Sequence, residues 1–64
     1  MNEIPKVKFN GGDKVSTRDG LGKVVKVNGP TQSATGRWFL TYTIKLDNEK
    51  KPRDFFASEV FATY

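Results

Sequence analysis

The nine residues WFLTYTIKL, Trp38 to Leu46, place Trp38, Leu40, Tyr42, Ile44 and Leu46 on one parity and Thr41, Thr43 and Lys45 on the other. Apolar residues recurring at every second position mark a half-buried strand. β-branched and aromatic side chains suit a pleated surface with one face covered, so the polar parity is left to water or to a partner. Phe39 interrupts the pattern. It falls on the outward parity, where a large apolar group is either covered by a neighbouring loop or available for contact.

Working outward from this strand, LDNEKK, Leu46 to Lys51, reads as a short hairpin turn in which Asp47 and Asn48 supply residues tolerant of positive φ. RDFF, Arg53 to Phe56, is a further strand entered through Pro52, and only one of Phe55 and Phe56 can face inward. ASEV, Ala57 to Val60, suggests a single helical turn, after which FATY returns as a closing strand. Upstream, NGPTQSATGR, Asn28 to Arg37, is turn chemistry without an apolar anchor and reads as a mobile loop. KVVKVN, Lys23 to Asn28, is a strand whose valines do not alternate. A bulge or strong coil that turns Val24 and Val27 to the same interior accounts for them. DKVS, Asp13 to Ser16, makes another strand, with Gly11 and Gly12 allowing a sharp entry and Gly20 and Gly22 a reversal. Residues 1–10 form an N-terminal segment that frays or, through Ile4, Val7 and Phe9, adds an edge strand. Residues 11–64 then form a small five-stranded all-β barrel closed around Trp38, Tyr42 and the valines, with one short helical turn before the last strand.

Composition agrees with a small domain. A chain of 64 residues buries only roughly 60% of the surface its unfolded form exposes, so the stability margin is thin. Neither Cys nor His is present, which argues against a disulfide or zinc staple, and the eight aromatic residues must supply most of the core. No cofactor is implied. The longest apolar runs are three residues, far short of the ~20 of a spanning helix. No targeting segment is visible, and a cytoplasmic location without membrane contact is expected. The 11 basic and 7 acidic residues leave a net charge of +4, a modest bias toward anionic partners.

GDKV, Gly12 to Val15, followed after four residues by GLGKVVKV, Gly20 to Val27, resembles the opening of the SH3-like, Tudor-like barrels of CarD-type transcription regulators and of UvrD/PcrA-type helicases. YTIKLDNEKKPRDFFASEV, Tyr42 to Val60, is similar to the remainder of that module, and the likeness spans about residues 11 to 62. KOW modules share the G-D-x-V opening. In the first two families the barrel docks on RNA polymerase, while KOW relatives contact RNA or ribosomal and polymerase proteins. The resemblance therefore implies an interaction module, SH3-like in fold, in transcription or another nucleic-acid process.

Catalytic constellations are nearly absent, since the usual general base and soft nucleophile are missing and Ser16, Ser33 and Ser58 show no motif spacing. Asp13 reads as satisfying turn N–H groups and Asp19-Gly20 as a reverse turn. Gly20-Leu21-Gly22 lacks the helix and the lysine of a phosphate cradle. Basic groups are the better lead. Lys26 and Lys45 lie outward with Thr41 and Thr43, and Arg37, Lys50, Lys51 and Arg53 lie at the ends of the hairpin that carries RDFF. With Phe39 they are the candidate binding residues of one positive face suited to phosphates or to an acidic protein edge. Exposed phenylalanines there would offer stacking platforms to bases. An open sheet edge would instead accept a partner strand. The expectation is a non-enzymatic module, a monomer or weak homo-oligomer without a small-molecule substrate, docking on a protein such as RNA polymerase. The alternatives are direct DNA or RNA binding and service as a small structural subunit.

Overall fold

The computed structural model describes residues 3–63. β1 spans Lys14–Thr17, β2 Gly20–Gln32, β3 Trp38–Leu46, β4 Arg53–Phe56 and β5 Val60–Ala62, with a single 3₁₀ turn, Ala57–Glu59, between the last two. All pair antiparallel in one sheet of order β4-β3-β2-β1-β5. The bounds of β3 and β4 are those expected from alternation, and β1 starts one residue later than expected. β1 and β2 are joined through Arg18 and Asp19, because Thr17 pairs directly with Gly20. Thr17 ties this turn by accepting the Asp19 N–H (3.1 Å) and donating its hydroxyl to the Gly20 carbonyl (2.9 Å).

β2 is much longer than the valine cluster suggests. Its register against β3 slips once between Val24 and Lys26 and again between Asn28 and Thr31. The first slip is the expected bulge: Val24 is buried, Val27 packs against the core, and Val25 is turned out, 54% exposed. At the second, the ladder passes over Gly29 and Pro30, whose imide nitrogen has no hydrogen to give. Pairing then resumes with Thr31 opposite Phe39 and Gln32 opposite Trp38. The stretch Asn28 to Arg37 is therefore not a mobile loop. Its first half is strand and only the turn from Ser33 is loop, closed by Ser33 N–H to the Arg37 carbonyl (2.8 Å) and Gly36 N–H to the Ser33 carbonyl (2.9 Å). The β3–β4 turn also differs from expectation. No described residue other than glycine has positive φ, so Asp47 and Asn48 serve an ordinary turn fastened by Glu49 N–H to the Leu46 carbonyl (3.1 Å).

Every strand sends side chains into one core: Val15, Val24, Leu40, Tyr42, Ile44, Leu46, Phe55 and Val60. Trp38 is only half-buried and lies outside this cluster. The reason is topological: β4 covers β3 only from Thr41 to Ile44, so the ribbon carrying Trp38 extends beyond its neighbours. Tyr42 takes the central place instead. Its buried hydroxyl needs a partner, and Lys8 N–H donates to it at 3.0 Å. The Phe9 ring meets the Tyr42 ring edge-on at 5.7 Å. Residues 3–13 form no strand, but these contacts, with Gly12 N–H to the Val24 carbonyl (2.7 Å), lay the segment against the core while Ile4 and Val7 stay outside.

Gly22 is required for a different reason than reversal. A Cβ there would lie 2.6 Å from the Lys45 carbonyl oxygen and 2.9 Å from Ile44 Cγ2, so β2 packs on β3 with no room for a side chain. Gly22→Ala is expected to cost about 1–3 kcal/mol and to lower Tm by roughly 5–20 °C in calorimetry. Gly11→Ala, where the nearest atom is 3.5 Å away, should shift Tm far less; equal melting of the two variants would refute the close-packing account. Tyr42→Phe removes the acceptor for Lys8 N–H. It should cost about 1 kcal/mol and accelerate exchange of the Lys8 amide, and unchanged exchange would show that this bond does not hold the segment.

Candidate functional site

Residues directly opposite in a ladder share a face, so the register fixes what the outer face of the sheet displays. Lys14 pairs with Lys23, and Lys23 pairs with Lys45. All three are exposed and stand in one row across β1, β2 and β3. The next row reads Lys26, Thr43 and Asp54, and the one after it Asn28, Thr41 and Phe56. Phe39, opposite Thr31, lies beyond. The bulge at Val25 brings Lys26 onto this face: without the extra residue its side chain would point into the core.

Five of the expected residues, Lys26, Phe39, Thr41, Thr43 and Lys45, are thus brought together. The others fall elsewhere. Arg53 sits opposite buried Ile44, on the inner side of the sheet at its margin. Its guanidinium donates to Asp19 (2.7 Å) and Glu49 (3.0 Å) and lies 5.1 Å from the centre of the Phe55 ring. Hydrogen bonding to Asp19 first, and to Glu49 second, raises its pKa above the ordinary arginine value. Arg53 therefore clips the β1–β2 turn to the β3–β4 turn. Arg37 belongs to the opposite end of β3, eight residues or about 26 Å along the strand from Lys45. Lys50 and Lys51 are exposed in the β3–β4 turn.

Lys14 and Lys23 were not among the expected residues. The reverse turn expected at Asp19-Gly20 lies instead at Arg18-Asp19, with Gly20 already in β2, and it is this register that sets Lys14 against Lys23. Among the described residues, no carboxylate lies within ion-pair distance of Lys14, Lys23, Lys26 or Lys45. Lys45 folds back along the hairpin, its Nζ donating to the Glu49 carbonyl at 2.8 Å. Asn28 Nδ2 donates to the Thr43 hydroxyl (2.8 Å), which in turn donates to Asp54 (2.6 Å). Asp54 is the one described carboxylate paired in register into these rows. Of the two phenylalanines of β4, Phe55 is buried and Phe56 is 59% exposed, and Phe39 is 39% exposed.

The remaining chemistry is sparse. Among the described residues no group of three or more His, Cys, Asp or Glu gathers to hold a metal, and no helix is long and apolar enough to cross a membrane. The sheet edges are the four residues of β4 and the three of β5, a short template for an added strand. Comparison with known proteins finds no matching family model, no matching curated protein and no matching solved structure.

Proposed function

We propose that the chain is a non-enzymatic binding module that takes up nucleic acid on the outer face of its sheet. The observation that carries this reading is the row Lys14, Lys23 and Lys45. Like charges directly opposite in a sheet are destabilising, and here two such pairs share their central member. The Lys45 amine is drawn to the Leu46 and Glu49 carbonyls, which leaves Lys14 and Lys23 as the pair whose repulsion an anion relieves. A phosphate chain does so, releasing its own counterions as it binds. Lys26 extends the row toward the hydroxyl and amide groups of Thr43, Thr41 and Asn28, which suit phosphate or sugar contacts. An SH3-like barrel agrees with the strand order and with the one-turn helix before β5, and the resemblance to KOW modules points the same way.

A second reading, docking on a protein of the transcription machinery such as RNA polymerase, is favoured by a different row. Leu21 and Phe61 flank Ser16 in register and are 56% and 57% exposed. This is an apolar strip beside the lysines, of the kind that protein interfaces cover.

Fluorescence anisotropy with a short labelled oligonucleotide, read across ~50–200 mM salt, tests the first reading. Neutralisation of three or four phosphates predicts a slope of log K against log salt of roughly −2 to −3, a loss of about 20- to 50-fold over that range. Lys23→Ala should weaken binding and reduce the magnitude of the slope by about 1, whereas Arg37→Ala should change neither appreciably. Absence of binding at the lowest salt, or a flat salt response, would refute it. Capture of polymerase that persists after nuclease treatment and is lost in Phe61→Ala would then support the second.

A further inference from the structure

We infer that the nucleic acid this face takes is single-stranded, its bases stacking on Phe56 and Phe39 while its phosphates follow the lysines; this rests on the nucleic-acid reading above. Phe56 stands opposite Thr41, and Phe39 precedes Thr41 by two residues on β3. The two rings are thus diagonal neighbours on one face, with Cα atoms ~7–8 Å apart and within mutual reach. Neither ring is needed to fill the core, whose aromatic members are Tyr42 and Phe55. Bases locked inside a duplex cannot reach such rings, whereas an unpaired strand can lay successive bases on them.

Charge sets the direction in which the strand lies. Lys23 and Lys26 are on β2 and Lys45 is on β3, while Asp54, on β4, shares the row of Lys26 and adjoins that of Phe56. A carboxylate there repels phosphates from β4 and confines the backbone to the β2 side of β3. Bases turned from that track toward β4 meet Phe56 first. Thr41 lies four residues, or about 13 Å along β3, from Lys45, a distance a few nucleotides span.

The test compares a labelled oligothymidylate of ~12 nucleotides, within the site sizes of single-strand binders, with a duplex of the same length. Wild type should prefer the single strand. Phe56→Ala should weaken that binding about five- to 150-fold, the range for loss of one stacked base, and leave duplex binding unchanged. Phe39→Ala should act in the same direction, and Asp54→Asn should tighten both complexes. Because both rings are exposed, circular dichroism of the variants is expected to match wild type, and NMR shifts of the Phe56 ring on adding the oligothymidylate give a readout independent of mutation. Equal, salt-dependent affinity for the two probes with an unaffected Phe56→Ala would overturn the stacking inference and leave the phosphate reading intact. Failure of wild type to bind either probe would overturn both.

Discussion

The extra residue at Val25 links the two halves of this molecule. β2 passes through the whole sheet, pairing with β1 by its first residues and with β3 along most of its length. A regular strand that buries Val24 would bury Lys26 and expose Val27, leaving a charged amine in the core and an apolar side chain in water. Counting two residues against one of β3 shifts the phase, so Val27 reaches the interior and Lys26 the outer face. The same step keeps Gly22 and Val24 against β3 before the bulge and allows β2 to continue past it. A single insertion thus completes the core and assembles the lysine-bearing face.

The core itself is arranged around one polar atom. Tyr42 supplies the bulk that a short chain needs, but its hydroxyl has to be satisfied, and the donor comes from the N-terminal segment. That bond, with the backbone bonds of Gly12 and Asp13 to Val24, gives residues 3–13 a defined path although they form no strand. Phe9 follows on the same ring. Aromatic burial, rather than length of sheet, therefore organises the segment that sequence patterning describes least well.

What was legible in the sequence follows from which signals are local. Alternation in Trp38 to Leu46 has period two and needs no partner to be read, and the valines at 24, 25 and 27 disclose their bulge because three cannot fit one parity. Residues Thr31 and Gln32 were hidden by their chemistry: the Gly-Pro beside them signals a turn, but a ladder can skip a residue without an N–H and resume. Trp38 misleads in the same way, since parity says which side it faces and not whether β4 extends far enough to cover it. Of the candidate site, the β3 residues were readable from parity alone. The Lys14–Lys23 pairing needed the hairpin register, and the diversion of Arg53 to Asp19 and Glu49 needed the three-dimensional closeness of two turns far apart in sequence.

That diversion explains why a net charge of only +4 yields a cationic face. Apart from Glu3 and Asp54, the acidic residues lie in turns and at element ends: Asp13 accepts the Asn10 N–H, Asp19 and Glu49 hold Arg53, and Glu59 accepts the Phe56 N–H while lying 3.6 Å from Arg18. Asp47 sits in the β3–β4 turn. Asp13 and Glu59 satisfy backbone donors there, and Asp19 and Glu49 are taken by Arg53, so little negative charge is left on the sheet surface, where Lys14, Lys23, Lys26 and Lys45 hold outward positions. Like-charge repulsion across the strands remains a cost, borne while each turn is separately fastened. The way the turns are built thus permits the segregation of charge, and the positive field falls on the one surface that the core does not need.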